Sequence, residues 1–325
     1  MSPALSIHYD PRLVEEALFH IQRGGRVFKE LDLERTQIYQ LPDPSERDRR
    51  FSDLSQAWFE RLGLGRVVEQ ALEEQPVIPA LVQNCFVVRA TQSKEENAEL
   101  FVAAERSREG QPRRTVRILI RPETLVRPEP ALAFLRHELF HIADMLDPTF
   151  AYEPALPKTE GGPTCDTLIA NRYRVVWDTT INGRMARRGW LAEGVREQQL
   201  GEFQQAFPML EKKTEECFKR FFDADQPKHS EIAAFALDPR ALAGENKKPS
   251  AGAHCPLCKF PTHSFEPEPE SLGADLLAMI QRDFPQWRPG QGLCAQCADL
   301  YRASRLSVAA AMALPGSTPR RLSRT

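Results

Sequence analysis

The sequence predicts an α+β fold that is predominantly helical, with a small mixed sheet and a separate cysteine-rich module. Three observations predict this fold. Amphipathic helical patterns dominate the 325 residues, short β-branched segments lie in the first half of the chain, and two Cys-x-x-Cys pairs lie near its C-terminus. Hydrophobic residues make up 42% of the chain, which is enough for a substantial core. The length suits two compact domains, or one large domain with a small appended module.

The first 75 residues are predicted to be a helical region. Hydrophobic residues recur at helical spacing in three segments, which glycine and proline breaks separate. The three predicted helices are Arg12–Gln22, Ser45–Leu62 and Arg66–Glu74. The next region, residues 76–247, is predicted to hold the sheet and the remaining large helices.

Apolar, β-branched residues predict the strands of the small mixed sheet. One or two strands are predicted within Val77–Arg89, and a further strand is predicted at Leu100–Ala104. Apolar and polar residues alternate along Arg114–Arg121, as they do in a strand with one buried face. This strand lies shortly before the most distinctive motif of the chain.

That motif is His137-Glu138-Leu139-Phe140-His141. It lies in a segment, residues 131–146, that contains neither glycine nor proline and is therefore predicted to be helical. On a helix, residues four apart share a face, so that both imidazoles can bind one metal ion. The carboxylate that follows the first histidine can then accept a proton from a water molecule on that ion. Motif and chemistry together indicate a zinc-dependent hydrolase.

This helix and its neighbours resemble the active-site region of the zincin metallopeptidases. The resemblance rests on the HExxH motif and on the strand that precedes it. It implies that His137 and His141 bind a catalytic zinc ion and that Glu138 is the general base. It also implies that the strand at residues 114–121 is the sheet edge along which an extended peptide substrate lies. The expected fold is therefore a zincin-like domain with an HExxH active-site helix.

The third protein ligand of this zinc ion is predicted to be Asp178. Gluzincin-type sites take an acidic ligand from a second helix, and Thr164–Arg188 is predicted to be that helix. Asp178 lies among apolar residues of this segment, where an unpaired carboxylate is costly. An ion pair with Arg174, one turn earlier, is the other explanation for this carboxylate.

Other polar residues near the motif have candidate roles. Asp147 stands six residues after His141, as the third ligand of metzincin-type sites does, and is the alternative ligand. Asp144 is predicted to orient the ring of His141, and Asn182 to orient Asp178. The further candidate ligands are Glu153 and Glu160. The candidate donors to an oxyanion are Tyr152, Tyr173 and Arg184.

A second metal site is predicted near the C-terminus. Two Cys-x-x-Cys pairs, Cys255/Cys258 and Cys294/Cys297, supply four thiolates at a spacing typical of a closed, structural zinc site. The second pair leads into a predicted helix, and this module, residues 248–308, resembles a zinc ribbon or treble clef. The remaining thiols, which are predicted to be small buried side chains, are Cys85, Cys165 and Cys217.

The order of HExxH domain and four-cysteine module is similar to that of the SprT-like family, whose members act on protein bound to DNA. The resemblance is architectural, because that family takes its third ligand from a nearby histidine and none follows His141 until His229. A net charge of −2 gives no general attraction to nucleic acid, although the predicted flexible tail, residues 309–325, is basic.

These observations predict a zinc-dependent hydrolase, a metallopeptidase with a peptide or protein substrate and two zinc ions per chain. The alternative is a noncatalytic, zinc-stabilised interaction protein, or a nucleic-acid-associated protein that uses the four-cysteine module and the basic tail. No segment is apolar enough to span a membrane, and no signal sequence precedes the first helix. Thiolate zinc sites persist under reducing conditions, so that a cytoplasmic location is expected.

Overall fold

The computed structural model describes residues 5–25, 28–106, 112–156, 162–242, 253–262 and 264–303. It confirms the predicted fold class, because most described residues are helical and one small mixed sheet is present. The chain divides into two compact units that alternate along the sequence. The first comprises Met1–Ala155, Arg174–Gln205 and Glu215–Ile232, and the second comprises Leu156–Tyr173, Ala206–Thr214 and Ala233–Thr325. The predicted linker at residues 245–252 and the predicted tail lie outside the described residues.

The first unit begins with a strand and five helices. They are β1 (Ser6–Tyr9), α1 (Pro11–Arg23), α2 (Lys29–Tyr39), α3 (Pro44–Arg61), α4 (Arg66–Glu73) and α5 (Val77–Leu81). The three predicted helices of this region are confirmed, and α2 is an additional one. Within Val77–Arg89, where one or two strands are predicted, residues 84–89 form one strand and residues 77–81 form the helix α5 instead. Pro79 has no N–H group for a strand ladder but is tolerated in the first turn of a helix.

The sheet is formed by β1 together with β2 (Asn84–Arg89), β3 (Asn97–Arg106) and β4 (Pro112–Ile120). Its order is β1-β2-β4-β3; β1, β2 and β4 are parallel, and β3 pairs antiparallel with β4. The predicted edge strand at residues 114–121 is therefore an inner strand. The edge beside the HExxH motif is β3, because the β3–β4 hairpin folds β4 between β2 and β3.

One face of the sheet packs against the helix that carries the motif. This helix, α7 (Pro128–Leu146), follows the short α6 (Pro122–Leu125) and buries an apolar stripe at helical spacing. The residues that form this contact region of the core are Val87, Val116, Ile118, Leu135, Leu139 and Ile142. Burial of each such side chain stabilises the fold by roughly 1.5–3 kcal/mol. The motif therefore lies on a helix fixed along its length by the sheet.

Arg136 fixes the position of α7 relative to α4. Its Nε and Nη2 donate hydrogen bonds of 2.7 and 2.6 Å to the two carboxylate oxygens of Glu74. These bonds hold the pKa of Glu74 below its ordinary value, in spite of partial burial. Because Arg136 directly precedes His137, this two-point contact also restrains the turn of helix that begins the motif.

The longest helix of the chain is α8 (Gly162–Arg187), which confirms the predicted helix at Thr164–Arg188. The helices that follow are α9 (Val195–Ala206), α10 (Thr214–Phe222), α11 (His229–Leu237) and α12 (Pro239–Leu242), with a 3-10 segment at Pro208–Lys213. Within α8, Gly183 permits a close approach of the chain: a Cβ atom there would lie 1.7 Å from the carbonyl oxygen of Phe222. Glycine is required at this crossing.

The cysteine pairs lie in a small module with its own core. The module contains α13 (Ala274–Asp283), and residues 295–303 are also helical, as the sequence predicts for this segment. Its buried apolar side chains are Leu257, Leu276, Ile280, Trp287, Leu293 and Ala298. No helix among the described residues has the length and apolar character needed to cross a lipid bilayer.

We predict that Gly183→Ala destabilises the protein by about 3 kcal/mol or more, because the added methyl group collides with a backbone carbonyl that cannot move alone. Gly201→Ala in α9 is the matched control, since a Cβ atom there meets nothing within 4 Å. This second variant is expected to be slightly more stable than the wild type, by about 0.5–1 kcal/mol. Urea denaturation measures both, and equal effects of the two substitutions would contradict the close crossing.

Candidate metal centres

The helix α7 places both motif histidines on one face. The ring centroids of His137 and His141 are 5.2 Å apart, and the two rings are nearly perpendicular. Both side chains are largely buried yet keep some exposure, 25% for His137 and 14% for His141. The arrangement follows directly from the spacing of four residues on a continuous helix.

Asp178 on α8 completes a group of three side chains with these histidines. Its Oδ1 atom lies 3.0 Å from Nε2 of His141 and 3.9 Å from Nε2 of His137. Ligand atoms about 2.0–2.1 Å from a tetrahedral ion lie about 3.3 Å from each other, so a small rearrangement suffices for metal binding. Two imidazoles and one carboxylate are a donor set that zinc accepts. No fourth histidine, cysteine or acidic residue joins this group in the described part of the chain.

The alternative ligands lie elsewhere. Asp147 follows the last turn of α7, where its Oδ1 accepts hydrogen bonds of 2.8 Å from both the backbone N–H and the hydroxyl of Thr149. It therefore caps the turn that leaves the helix and does not belong to the His-His-Asp group. Glu153 is exposed, and Glu160 lies outside the described residues.

The carboxylate of Glu138 lies between the motif and the sheet edge. Its Oε2 accepts a hydrogen bond of 3.1 Å from the backbone N–H of Ala98 in β3, and its Oε1 lies 3.3 Å from Nδ1 of His137. Burial raises the pKa of Glu138, but the contact with His137, the nearby His141 and the Ala98 N–H outweigh burial and lower it. Glu138 is therefore held ionised, beside the metal ligands and against the edge strand.

Asp178 and His137 favour each other's charged forms. Burial raises the pKa of Asp178, but the contact with His141 and the charges of His137 and Arg174 outweigh burial. The pKa of Asp178 is therefore below its ordinary value. For His137, burial opposes the charged form, whereas Glu138 and Asp178 raise the pKa above its ordinary value. A metal ion bound here would compete with protons for His137, so its affinity would fall at low pH.

Asp144 is buried and joins α7 to α8. Its carboxylate accepts a bond of 2.7 Å from Nε1 of Trp177 and two further bonds of 2.7 Å from the guanidinium of Arg184. The Trp177 ring in turn packs edge-on against His141, with centroids 4.4 Å apart. Asp144 was predicted to orient His141; the structure places Trp177 between the two. Arg184, a candidate oxyanion donor, donates hydrogen bonds to the Asp144 carboxylate instead.

The side chain of Asn182 bonds to Gln199 of α9 and not, as predicted, to Asp178. Its side-chain amide donates to Gln199 of α9, which itself donates to the carbonyl of Val175 and the hydroxyl of Thr179. The reason is helical geometry combined with burial: Asn182 faces α9, where a buried amide needs a polar partner. It thus stabilises helix packing behind the cluster.

Aromatic side chains line one side of the cluster. Tyr152 stacks on Trp177, and Phe150 stacks on the same ring. Tyr152 is half-buried, and burial raises its pKa. His229, which sequence analysis assigned no role, packs edge-on against Tyr152 and donates its backbone N–H to the carbonyl of Phe150. Because His229 lies far from the motif along the chain, no sequence pattern indicates that it packs near the cluster. Tyr173 is buried in the second unit.

The four cysteines form the second cluster. The Sγ atoms of Cys255 and Cys297 are 3.9 Å apart, as are those of Cys258 and Cys294. Four thiolates about 2.3 Å from a tetrahedral ion have Sγ atoms about 3.8 Å apart, which matches both distances. None of the seven cysteines forms a disulfide. This geometry would allow the four sulfur atoms to hold one metal ion.

Backbone N–H groups surround the sulfur atoms. Burial raises the pKa of Cys255, but N–H groups of the two turns lower it to about 7. Among them, the N–H of Cys294 donates to Sγ of Cys255 over 3.3 Å. The tight first turn is completed by Lys259 at a positive φ of 63°. By contrast, burial without such donors raises the pKa of Cys85 to about 12, in agreement with its predicted role as a small core side chain.

Comparison of the chain with family models, with curated proteins and with solved structures gave no match. The structure itself therefore supplies two groups of residues that could hold a metal ion: the four cysteines and the His-His-Asp group.

We predict that Asp144→Asn destabilises the protein by about 3–5 kcal/mol, because it leaves the largely buried guanidinium of Arg184 without its charged partner. Asp147→Asn makes the same chemical change at a carboxylate that bonds only to the adjacent turn, and is expected to cost less than about 1 kcal/mol. Denaturation followed by tryptophan fluorescence separates the two. A stable Asp144→Asn variant would contradict the role assigned to this contact.

Proposed function

We propose that the protein is a zinc-dependent hydrolase of the zincin type, a metallopeptidase. The observation that carries this proposal is the convergence of His137, His141 and Asp178 on one point, with the Glu138 carboxylate beside them and against the edge of a sheet. The three donors leave a position for water on a four-coordinate ion, which distinguishes a catalytic site from a structural one.

In this proposal His137, His141 and Asp178 hold the zinc ion. Bound there, zinc polarises a substrate carbonyl and makes a water molecule acidic enough to be deprotonated near neutral pH. Arg174 contacts the second oxygen of Asp178 over 3.4 Å and favours its ionised form. Trp177, fixed by Asp144, packs on His141 and restricts the rotation of its ring.

Glu138 acts as the general base. Its carboxylate is ionised and lies one residue from the first ligand, so it can accept a proton from water and later transfer it to the leaving amine. The N–H of Ala98, which now donates to Glu138, belongs to the free edge of β3. We propose that an extended peptide adds to this edge as a further strand and is thereby aligned with the cluster.

The four-cysteine module is proposed to bind a second, structural zinc ion and to serve as a docking element. Its small core makes a metal clip a substantial part of its stability. Because thiolates in such a site persist under reducing conditions, we place the protein in the cytoplasm.

Metal content tests the ligand assignment. We predict two zinc ions per wild-type chain by elemental mass spectrometry after dialysis, and one in Asp178→Ala and in Cys255→Ser. Asp147→Ala is the control and is expected to keep both ions, because its carboxylate bonds to Thr149. Full zinc occupancy in a folded Asp178→Ala variant would show that another residue completes the site.

Glu138→Gln tests catalysis. We predict that this variant keeps both metal ions and loses peptide cleavage by a factor of about 10²–10⁴, because the amide cannot accept the proton from water. The substrate is a mixture of fluorogenic peptides, and the wild type treated with a chelator serves as the metal-free reference.

Peptide cleavage that persists in the Glu138→Gln variant, or after removal of the metal by a chelator, would contradict the proposal. Absence of wild-type cleavage with both sites loaded would favour the noncatalytic alternative.

A further inference from the structure

The free edge of β3 continues beyond the Glu138 contact as an exposed apolar stretch. Residues 97–100 are half-buried, whereas Phe101, Val102 and Ala103 are exposed, with 57% exposure for Val102. Unpaired edge strands that carry apolar residues are prone to pair with another chain, and proteins usually cover or charge them. This stretch is therefore a surface suited to an added strand.

The direction of the backbone groups follows from the contact with Glu138. Because the N–H of Ala98 points outward to Glu138, alternation along a strand turns the N–H and C=O groups of Leu100 and Val102 outward as well. These three residues present one continuous edge. At ~3.3 Å per residue, Val102 lies about 13 Å from Ala98.

The side chains of this stretch define its chemical preference. Val102 shares a sheet face with Ala98 and Leu100, and its register partner on β4 is Arg114. Further along this face, Val116 and Ile118 are buried, but Arg114 is only half-buried. No carboxylate of the described residues pairs with the Arg114 guanidinium. This side of the edge thus ends in an exposed valine, backed by an arginine that forms no ion pair with any carboxylate of the described residues.

We propose that the edge at Val102 and Arg114 selects peptide substrates by an acidic residue on the N-terminal side of the scissile bond. The inference rests on the proposed peptidase function and names its substrate class. A docked strand lies two strand spacings, about 10 Å, from β4, a distance that a glutamate and an arginine side chain together span. The aliphatic part of the glutamate packs on Val102 while its carboxylate meets Arg114.

The placement on the N-terminal side follows from strand direction. Antiparallel pairing is slightly more stable than parallel pairing, so a strand added to β3 runs opposite to it. Moving along β3 from Ala98 to Val102 then corresponds to moving toward the N-terminus of the substrate. The acidic residue stands about four positions before the residue that meets Ala98.

Two isomeric fluorogenic peptides test the inference. They share one cleavable core; one carries glutamate three to five residues before the bond and glutamine at the matching positions after it, and the other has the two exchanged. We expect the wild type to cleave the first peptide with a kcat/KM about two- to fivefold higher than that for the second, which is the effect expected of an exposed ion pair. Added salt is expected to lower this ratio, because it screens the charges.

Charge reversal identifies the partner of the glutamate. In Arg114→Glu the preference is expected to shift to peptides with lysine before the bond. Arg113→Glu is the matched control: it changes charge equally, but Arg113 is exposed and alternation places its side chain on the opposite face of the sheet. The control is expected to keep the wild-type preference.

Three outcomes overturn the inference while leaving the peptidase intact: equal cleavage of the two peptides, preference for glutamate after the bond, and an unchanged preference in Arg114→Glu. A zinc-loaded wild type that cleaves neither peptide nor the wider mixture overturns the proposed function instead, and the inference with it.

Discussion

The candidate site depends on one buried carboxylate, that of Asp144. Its two oxygens accept three bonds from Trp177 and Arg184, and these bonds hold α8 against α7. On each helix the contact lies next to the site: Asp144 is less than a turn from His141, and Trp177 directly precedes Asp178. A buried charge is tolerated only when it is fully paired, so this contact fixes both the distance and the rotation of the two helices.

With α7 and α8 held in place, the two carboxylates of the site, Asp178 and Glu138, have different neighbours, which supports the different roles proposed for them. Asp178 faces the imidazoles and has Arg174 on its other oxygen, which suits a ligand. Glu138 faces a main-chain N–H of β3 instead, which is consistent with its proposed role as general base beside a peptide. His137 and Glu138 are adjacent on α7 but face different elements. The edge of the sheet lies on one side of α7, and α8 lies on the other.

Much of the site follows from local sequence and the rest from tertiary pairing. The spacing of His137 and His141 predicts both histidines of the cluster, and an aspartate among apolar residues of a predicted helix favours Asp178 over the alternative ligand Asp147. Strand order could not be predicted in this way, because only the pairing of β4 with β2 makes β4 an inner strand. Likewise, the partner of Asn182 is Gln199, and helical spacing alone favoured Asp178.

The two clusters differ in the solvent exposure and number of their candidate ligands, and this difference supports the different functions proposed for them. The cysteine sulfurs supply four ligands, with backbone N–H groups directed at the buried sulfur of Cys255, so a metal there gains stability but has no position for substrate. His137 and His141 keep partial exposure and have only one carboxylate with them. Because the His-His-Asp group lies beside the free edge of β3, the open coordination position of the proposed zinc ion and the proposed peptide-binding edge are adjacent. This adjacency is the main support for the proposed hydrolysis of an extended chain.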